Sequence, residues 1–255
     1  MLAVSVQHLH LLLFGALSSA AAAYTVPGTT GTTVSRRALL LAPLAAAPLA
    51  NADPADAANP VRQGMAAFAA NKVTEAIDLY DSVIATNPSS KPYLWQRGLA
   101  LYYADRFEDG AEQFAADVAV NPNDTEEQIW HLLCLAQLKK GGLPAARPFK
   151  LTVGTDRRPV MRAAQKLFLS GGKADEQVLA EIASNGADAS SRFYASLYLS
   201  LYHESLGERP AAEQRMREAV GTVYALGGGQ SDPMVELAKV AMKRRGWEVG
   251  KKSEL

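Results

Sequence analysis

Cysteine occurs once in these 255 residues, at Cys134, so no disulfide can form within the chain. Histidine occurs four times, at His8, His10, His131 and His203. Zinc sites draw several Cys and His ligands together, and this scattered supply does not provide a set. Neither sign of charge is in excess: 26 Lys and Arg stand against 26 Asp and Glu. A nucleic-acid-binding chain would show a basic surplus, so that class is excluded as an expectation. The most local absence is of acids. No Asp or Glu precedes Asp53, and Arg36 and Arg37 are the only Lys or Arg in that span. The remainder carries 24 basic and 26 acidic residues. A chain of this length buries a full core without disulfides or metals.

An acid-free leader rich in Ala, Leu and Thr has the composition of a targeting sequence rather than of a fold. Residues 1–23 end in "LHLLLFGALSSAAAA", an apolar run closed by small residues and too short to span a bilayer. Residues 24–34 are hydroxylated, like a transit peptide. Residues 35–52 carry Arg36 and Arg37, a second apolar run, and an Ala-x-Ala end at Ala50 and Ala52. This last part resembles a twin-arginine export signal. The order resembles the three-part leader of thylakoid-lumen proteins in algae with secondary plastids, which implies a cleaved leader over 1–52 and a lumenal protein. A single membrane anchor and a bacterial periplasmic signal are the alternatives. Pro43 and Pro48 count against the first, because proline disfavours helix interiors. Under the second, residues 1–23 have no role. No stable membrane span is expected after processing.

Beyond the leader, a repeat dominates. Gly64 and Gly98 are 34 residues apart, as are Ala76 and Gly110, Tyr80 and Phe114, and Pro88 and Pro122. Thirty-four residues is the period of the tetratricopeptide (TPR) repeat, a pair of antiparallel helices that stacks on its neighbours. Small residues at 64/98 and 76/110 let the two helices approach, the aromatic at 80/114 fills the space, and the proline ends the second helix. The expected fold is all-α, an antiparallel helix-hairpin solenoid over 53–246. Clear repeats cover about 57–90 and 91–124, with a partial one at 125–146. Two helical candidates, "RRPVMRAAQKLFL" and "DEQVLAEIA", form a degenerate middle. A later hairpin spans 189–222, with Ser200, Ala212 and Ala219 at repeat-like positions. A helix over 231–246, with Ser231 or Asp232 as N-cap and Pro233 in its first turn, is expected to cap the solenoid end. Residues 247–255 read as a flexible basic tail, and "GTVYALGGGQSD" as a flexible connector.

"RGLALYYADR", "NPND" and the following Trp130, together with "FYASLYLSLYHESLGE", resemble the bacterial NlpI-type TPR lipoproteins. The likeness covers about residues 60–225. It implies a helical solenoid, often dimeric, that binds other proteins and serves as an adaptor for a carboxyl-terminal processing protease. The chain lacks that family's anchor Cys. By the resemblance, first helices line a concave groove, here Phe68, Trp95, Leu99, Tyr102, Tyr103 and Ile129. Met65, Ala69, Leu133 and Gln137 extend this surface. The Lys, Asn and Arg set that clamps a terminal carboxylate in some TPR domains is missing. The expected occupant is therefore a protein segment held by aromatic anchors, which bring area and a polar tip. The protease and a subunit of a photosynthetic complex are the partner classes considered, with homodimerisation through the same face as a structural alternative.

Chemistry has fewer footholds. His131 and Cys134 share one helical face, but a Cys nucleophile needs a base, an orienting group and a cleft, and "IWHLLCLAQL" reads as core. His203 is placed to pair with Glu204, with nothing to complete a triad. Asp105 is expected in the hairpin turn, with Arg106, Glu108 and Asp109 at the start of the next helix. Asp117 pairs with a cation or faces water. Arg157, Arg158 and Arg162 offer the one candidate anion site, the basis of an enzymatic alternative. The leading expectation is a non-enzymatic scaffold without a cofactor.

Overall fold

The computed structural model describes residues 59–247. The chain divides into two units, 1–52 and 53–255, and the described residues belong to the second. Arg36, Arg37, Ala50 and Ala52, and with them the whole leader reading, lie outside the described residues.

The described chain is all-helical and its helices pack as adjacent pairs. The first pair is α1 (Pro60–Ala69) and α2 (Val73–Thr86), the second α3 (Trp95–Tyr103) and α4 (Phe107–Val120). In the third, α5 (Thr125–Leu138) is followed by a stub, α6 (Gly142–Ala146). The fourth pair is α7 (Pro159–Ser170) and α8 (Lys173–Asn185), the fifth α9 (Ala189–Ser205) and α10 (Arg209–Val220). A last helix, α11, spans Pro233–Arg244.

The small residues do what the spacing requires. A Cβ added to Gly64 would stand 2.6 Å from the Tyr80 ring, and one added to Gly98 would stand 2.5 Å from the Phe114 ring. Each aromatic therefore lies flat on a bare stretch of helix backbone, an approach that no side chain at the glycine would permit. Ala76, Tyr80 and Phe114 are buried, and a Cβ on Gly110 would stand 2.9 Å from Cys134 Sγ. Helix α2 stops at Thr86 and α4 at Val120, each just before an Asn-Pro step (Asn87-Pro88, Asn121-Pro122), as expected of a residue preceding proline.

The turns repeat too. Asn71 and Asp105 both have positive φ, 63° and 58°. Lys72 N–H donates to Ala67 C=O and Arg106 N–H to Leu101 C=O, both at 2.9 Å. These are six-to-one closures of a left-handed helix cap. Gly207, at φ 77°, occupies the same register in the fifth pair, where Glu208 N–H donates to His203 C=O at 2.9 Å. The spacing from 105 to 207 is three repeats. The recurrence explains why the fifth pair returns to the pattern, with Ser200 Oγ donating to Ala212 C=O at the helix crossing. In the third pair, Leu132 takes the place of the glycine and Pro144 cuts the second helix to one turn.

Helix α11 departs from the expectation of an end cap. It packs on α10, and also on α1 and α3, so the last helix meets the first pairs. The physical reason is its composition. Val235, Leu237, Ala238, Val240 and Ala241 are fully buried, with Met234 and Met242 nearly so. A terminal cap needs a polar outer face, whereas this helix leaves only a stripe at Glu236, Lys239 and Lys243 in water. Asp232 is its N-cap, accepting from Met234 N–H at 2.9 Å. The preceding connector is a π-helical turn at Tyr224–Gly228, held by Tyr224 O–H donating to Asp232 at 2.9 Å. The basic tail also begins later than expected, because Trp247 is buried. Among the described residues no helix is long and apolar enough to cross a membrane.

Candidate binding site

Helix α11 decides what remains of the inferred groove. Phe68, Leu99, Tyr102, Tyr103 and Ile129 are all buried, and Trp95 is half-buried. The expectation of an open aromatic surface is thereby corrected. Tyr102 packs edge-on to Tyr103 at 5.2 Å, to Phe107 at 5.5 Å and to Trp130 at 5.3 Å between centroids. Phe68 meets Tyr103 at 6.1 Å, and Phe114 stacks on Trp130 at 6.2 Å. These rings form the centre of a core, with Trp130 as its hub.

The end of α11 seals that core with charge. The Arg245 guanidinium lies 5.4 Å from the Tyr103 ring and 5.8 Å from the Tyr102 ring. Its Nε donates to Glu204 of α9, and its Nη1 is 3.9 Å from Asp105 in the α3–α4 turn. Arg209 donates to the Arg245 carbonyl at 2.8 Å. Burial pushes the Glu204 carboxyl above the ordinary glutamate range, and the neighbouring Arg245 pulls it partly back. The same burial drives the Tyr102 and Tyr103 hydroxyls far up, so both rings stay neutral. Arg245 was expected at a solvated helix end; a carboxylate and two ring faces hold it inside instead. His203 accordingly does not pair with Glu204. Its Nδ1 is 2.7 Å from Glu208, and its Nε2 is 3.6 Å from Glu176.

One part of the expected groove stays open. Between α1, α3 and the first turn of α11 lies a pocket of about 230 Å³. Met65 and Phe68 of α1, Trp95 and Leu99 of α3, and Tyr80 of α2 form its apolar wall. Gln96, Pro233 and Glu236 complete it. The Tyr80 hydroxyl and Gln96 Oε1 are buried and have no hydrogen-bond partner. The structure thus brings Phe68, Trp95 and Leu99 of the predicted set together around one cavity, and places Tyr102, Tyr103 and Ile129 away from it in the core.

The other candidates resolve into structure. Arg158 is bridged by Glu126 at 2.6 Å and Asp156 at 2.8 Å, with Tyr198 O–H donating to the second Glu126 oxygen at 2.7 Å. Arg162 donates to the carbonyls of Asp156 and Arg157. Two of the three arginines of the anion-site reading are therefore engaged within the chain, tying the 150–158 segment to α5 and α9. Cys134 is fully buried and its thiol is pushed far up by burial, while His131 is lowered to about 4 and stays neutral. Neither is activated for chemistry. Asp117 neither pairs with a cation nor faces water. It is 4% exposed, and burial followed by repulsion from Asp124 pushes its carboxyl up to about 7. Glu127, buried beside it, is driven up in the same way. Among the described residues no group of His, Cys, Asp or Glu is placed to hold a metal ion.

The sequence offered a signal for α11 that periodicity alone passed over. "PMVELAKVAM" is apolar on too many sides for a helix with a free face. No comparable signal marked Glu204 and Arg245 as partners, since they stand 41 residues apart with no shared motif. Comparison with models of known protein families returned no match, and comparison with curated proteins returned none either.

Proposed function

We propose that this protein is a non-enzymatic interaction scaffold of the TPR type that holds a segment of a partner protein at the mouth of the α1–α3–α11 pocket. The observation that carries the reading is the pocket itself. In a ring of helices otherwise packed shut, it keeps Phe68, Trp95 and Leu99 around an open apolar cavity. A half-buried Trp beside a well-formed cavity is the arrangement by which interfaces concentrate their binding energy. The repeat of packing glycine, packing aromatic and left-handed turn at a 34-residue spacing supports the TPR assignment.

The leader composition supports export to a thylakoid lumen. With the NlpI-type resemblance, it makes the lumenal carboxyl-terminal processing protease the first partner to test. In this reading the protein is an adaptor that presents substrates, and the pocket supplies one anchor rather than a whole groove. Self-association through Trp95 and Tyr103 together is disfavoured, because Tyr103 is fully buried within one chain. The enzymatic alternative loses its cation pair to Glu126, Asp156 and backbone carbonyls.

The test is binding of the mature chain, beginning near Asp53, to that protease with and without substrate. Binding that weakens at least tenfold in Ala69→Trp, which fills the pocket from α1, supports the adaptor. Absence of binding under both conditions refutes the protease assignment. Capture of a different partner whose binding ignores Ala69→Trp refutes the site.

A further inference from the structure

We propose that the α1–α3–α11 pocket takes a phenolic ring, and that in a bound partner this ring is a tyrosine side chain. The inference rests on the scaffold reading for its source of tyrosine, but not for the pocket's chemistry.

Volume sets the size. A dry protein cavity of roughly 150 Å³ binds benzene, and this pocket offers about 230 Å³. One substituted six-membered ring fits, whereas a drug-sized ligand needs about 300 Å³ or more. The wall sets the type. Phe68, Tyr80 and Trp95 present aromatic surface, and Met65 adds a thioether, which suits ring contacts.

The orphaned atoms set the substituent. Tyr80 is fully buried, yet its hydroxyl neither donates to nor accepts from any group of the chain. Gln96 Oε1 is likewise buried and unpartnered. Both residues line the pocket. Buried polar groups in native proteins are nearly always paired, so two orphans on one wall point to a ligand or water that pairs them. A hydrocarbon ring would fill the cavity and leave both unpaired. A phenol hydroxyl both donates and accepts, so it can donate to Gln96 Oε1 or accept from the Tyr80 hydroxyl. The remaining edge of the pocket is the first turn of α11 at Pro233 and Glu236. Glu236 is paired with Lys239 at 2.6 Å, so the rim adds no net charge to select an ionic ligand.

The probes are p-cresol, toluene, N-acetyl-tyrosinamide and N-acetyl-phenylalaninamide, titrated into the full chain while the Met65 methyl and Trp95 indole resonances are followed by NMR. The expected result is saturable shifts confined to those two groups, with p-cresol binding roughly three- to tenfold tighter than toluene, the worth of one hydrogen bond. N-acetyl-tyrosinamide should exceed N-acetyl-phenylalaninamide by a similar factor. Gln96→Leu should abolish the preference for p-cresol and keep toluene binding, which also shows that the variant is folded.

Equal binding of p-cresol and toluene would overturn the phenol assignment, as would no shift at either resonance up to the solubility limit of p-cresol. Binding of p-cresol without N-acetyl-tyrosinamide would overturn the tyrosine source and leave a small free phenol. None of these titrations contains a partner protein, so failure here is distinct from failure of the scaffold reading.

Discussion

The charged seal made by Arg245 can be weighed most sharply by removing it. Arg245→Met keeps most of the side-chain length and removes the guanidinium. Glu204 would then be left 13% exposed with its cation gone, and one of its oxygens already has no hydrogen-bond partner. Stranding one member of a buried pair costs about 3–5 kcal/mol. Losing the guanidinium over Tyr102 and Tyr103 adds on the order of 1 kcal/mol. The arginine is 19% exposed, so the lower end applies, and a loss of about 3 kcal/mol is expected. Single domains are stable by only about 5–15 kcal/mol, so the effect is large. Urea unfolding at pH 7.5 measures it, with the slope checked for constancy. Arg245→Met combined with Glu204→Gln should recover at least about 2 kcal/mol, because an isosteric neutral pair leaves no stranded charge.

The pH dependence carries the same logic. Without Arg245, burial alone acts on Glu204 and lifts its carboxyl further above its unfolded value. A group raised on folding stabilises the native state below its unfolded pKa, and that contribution is lost as pH rises through the folded one. The deficit of Arg245→Met should therefore shrink as the solution is acidified toward the ordinary glutamate range. A loss under 1 kcal/mol, or a double variant as unstable as the sum of the singles, would refute the claim that this pair is buried and mutually dependent.

Two further outcomes follow from the packing and from the buried acids. Gly98→Ala should destabilise by about 1–2 kcal/mol, because overpacking costs about 1–3 kcal/mol while alanine returns about 1 kcal/mol of helix propensity. In a Phe114→Leu background the ring atoms 2.5 Å from the new Cβ are gone, and Gly98→Ala should become neutral or stabilising by thermal melts. Asp117→Asn should raise stability at pH 8 by on the order of 2 kcal/mol and leave it unchanged near pH 4. The wild-type carboxyl, folded at about 7 and ordinarily near 3.8, favours the native state when protonated and loses that contribution as pH rises through 7.

The hairpins were legible because their packing is local. Gly98 and Phe114 meet within one repeat, 16 residues apart, so the constraint is written at fixed spacing and recurs at Gly64 and Tyr80. The left-handed turn at Asn71 was not legible, since asparagine there looks like any polar loop residue until its φ is known. The groove was misread for a different reason. Tyr102 and Tyr103 stand at positions that face a concave surface in an open solenoid, and in sequence nothing near them says that α11, about 130 residues later, lies against them. Closure is set by long-range burial of an all-apolar helix, and a 34-residue period cannot encode it. Asp117 illustrates the same limit: the absence of a nearby cation is a property of the packed structure, not of its neighbours in the chain.

The central claim is that a partner segment is held at the α1–α3–α11 pocket. Its most direct test is affinity capture from isolated thylakoid lumen with the mature wild-type chain and the Ala69→Trp variant side by side, with circular dichroism showing equal helicity. The account predicts a partner retained by the wild type and lost or weakened at least tenfold by the filled pocket. The same partner retained equally by both chains would contradict it.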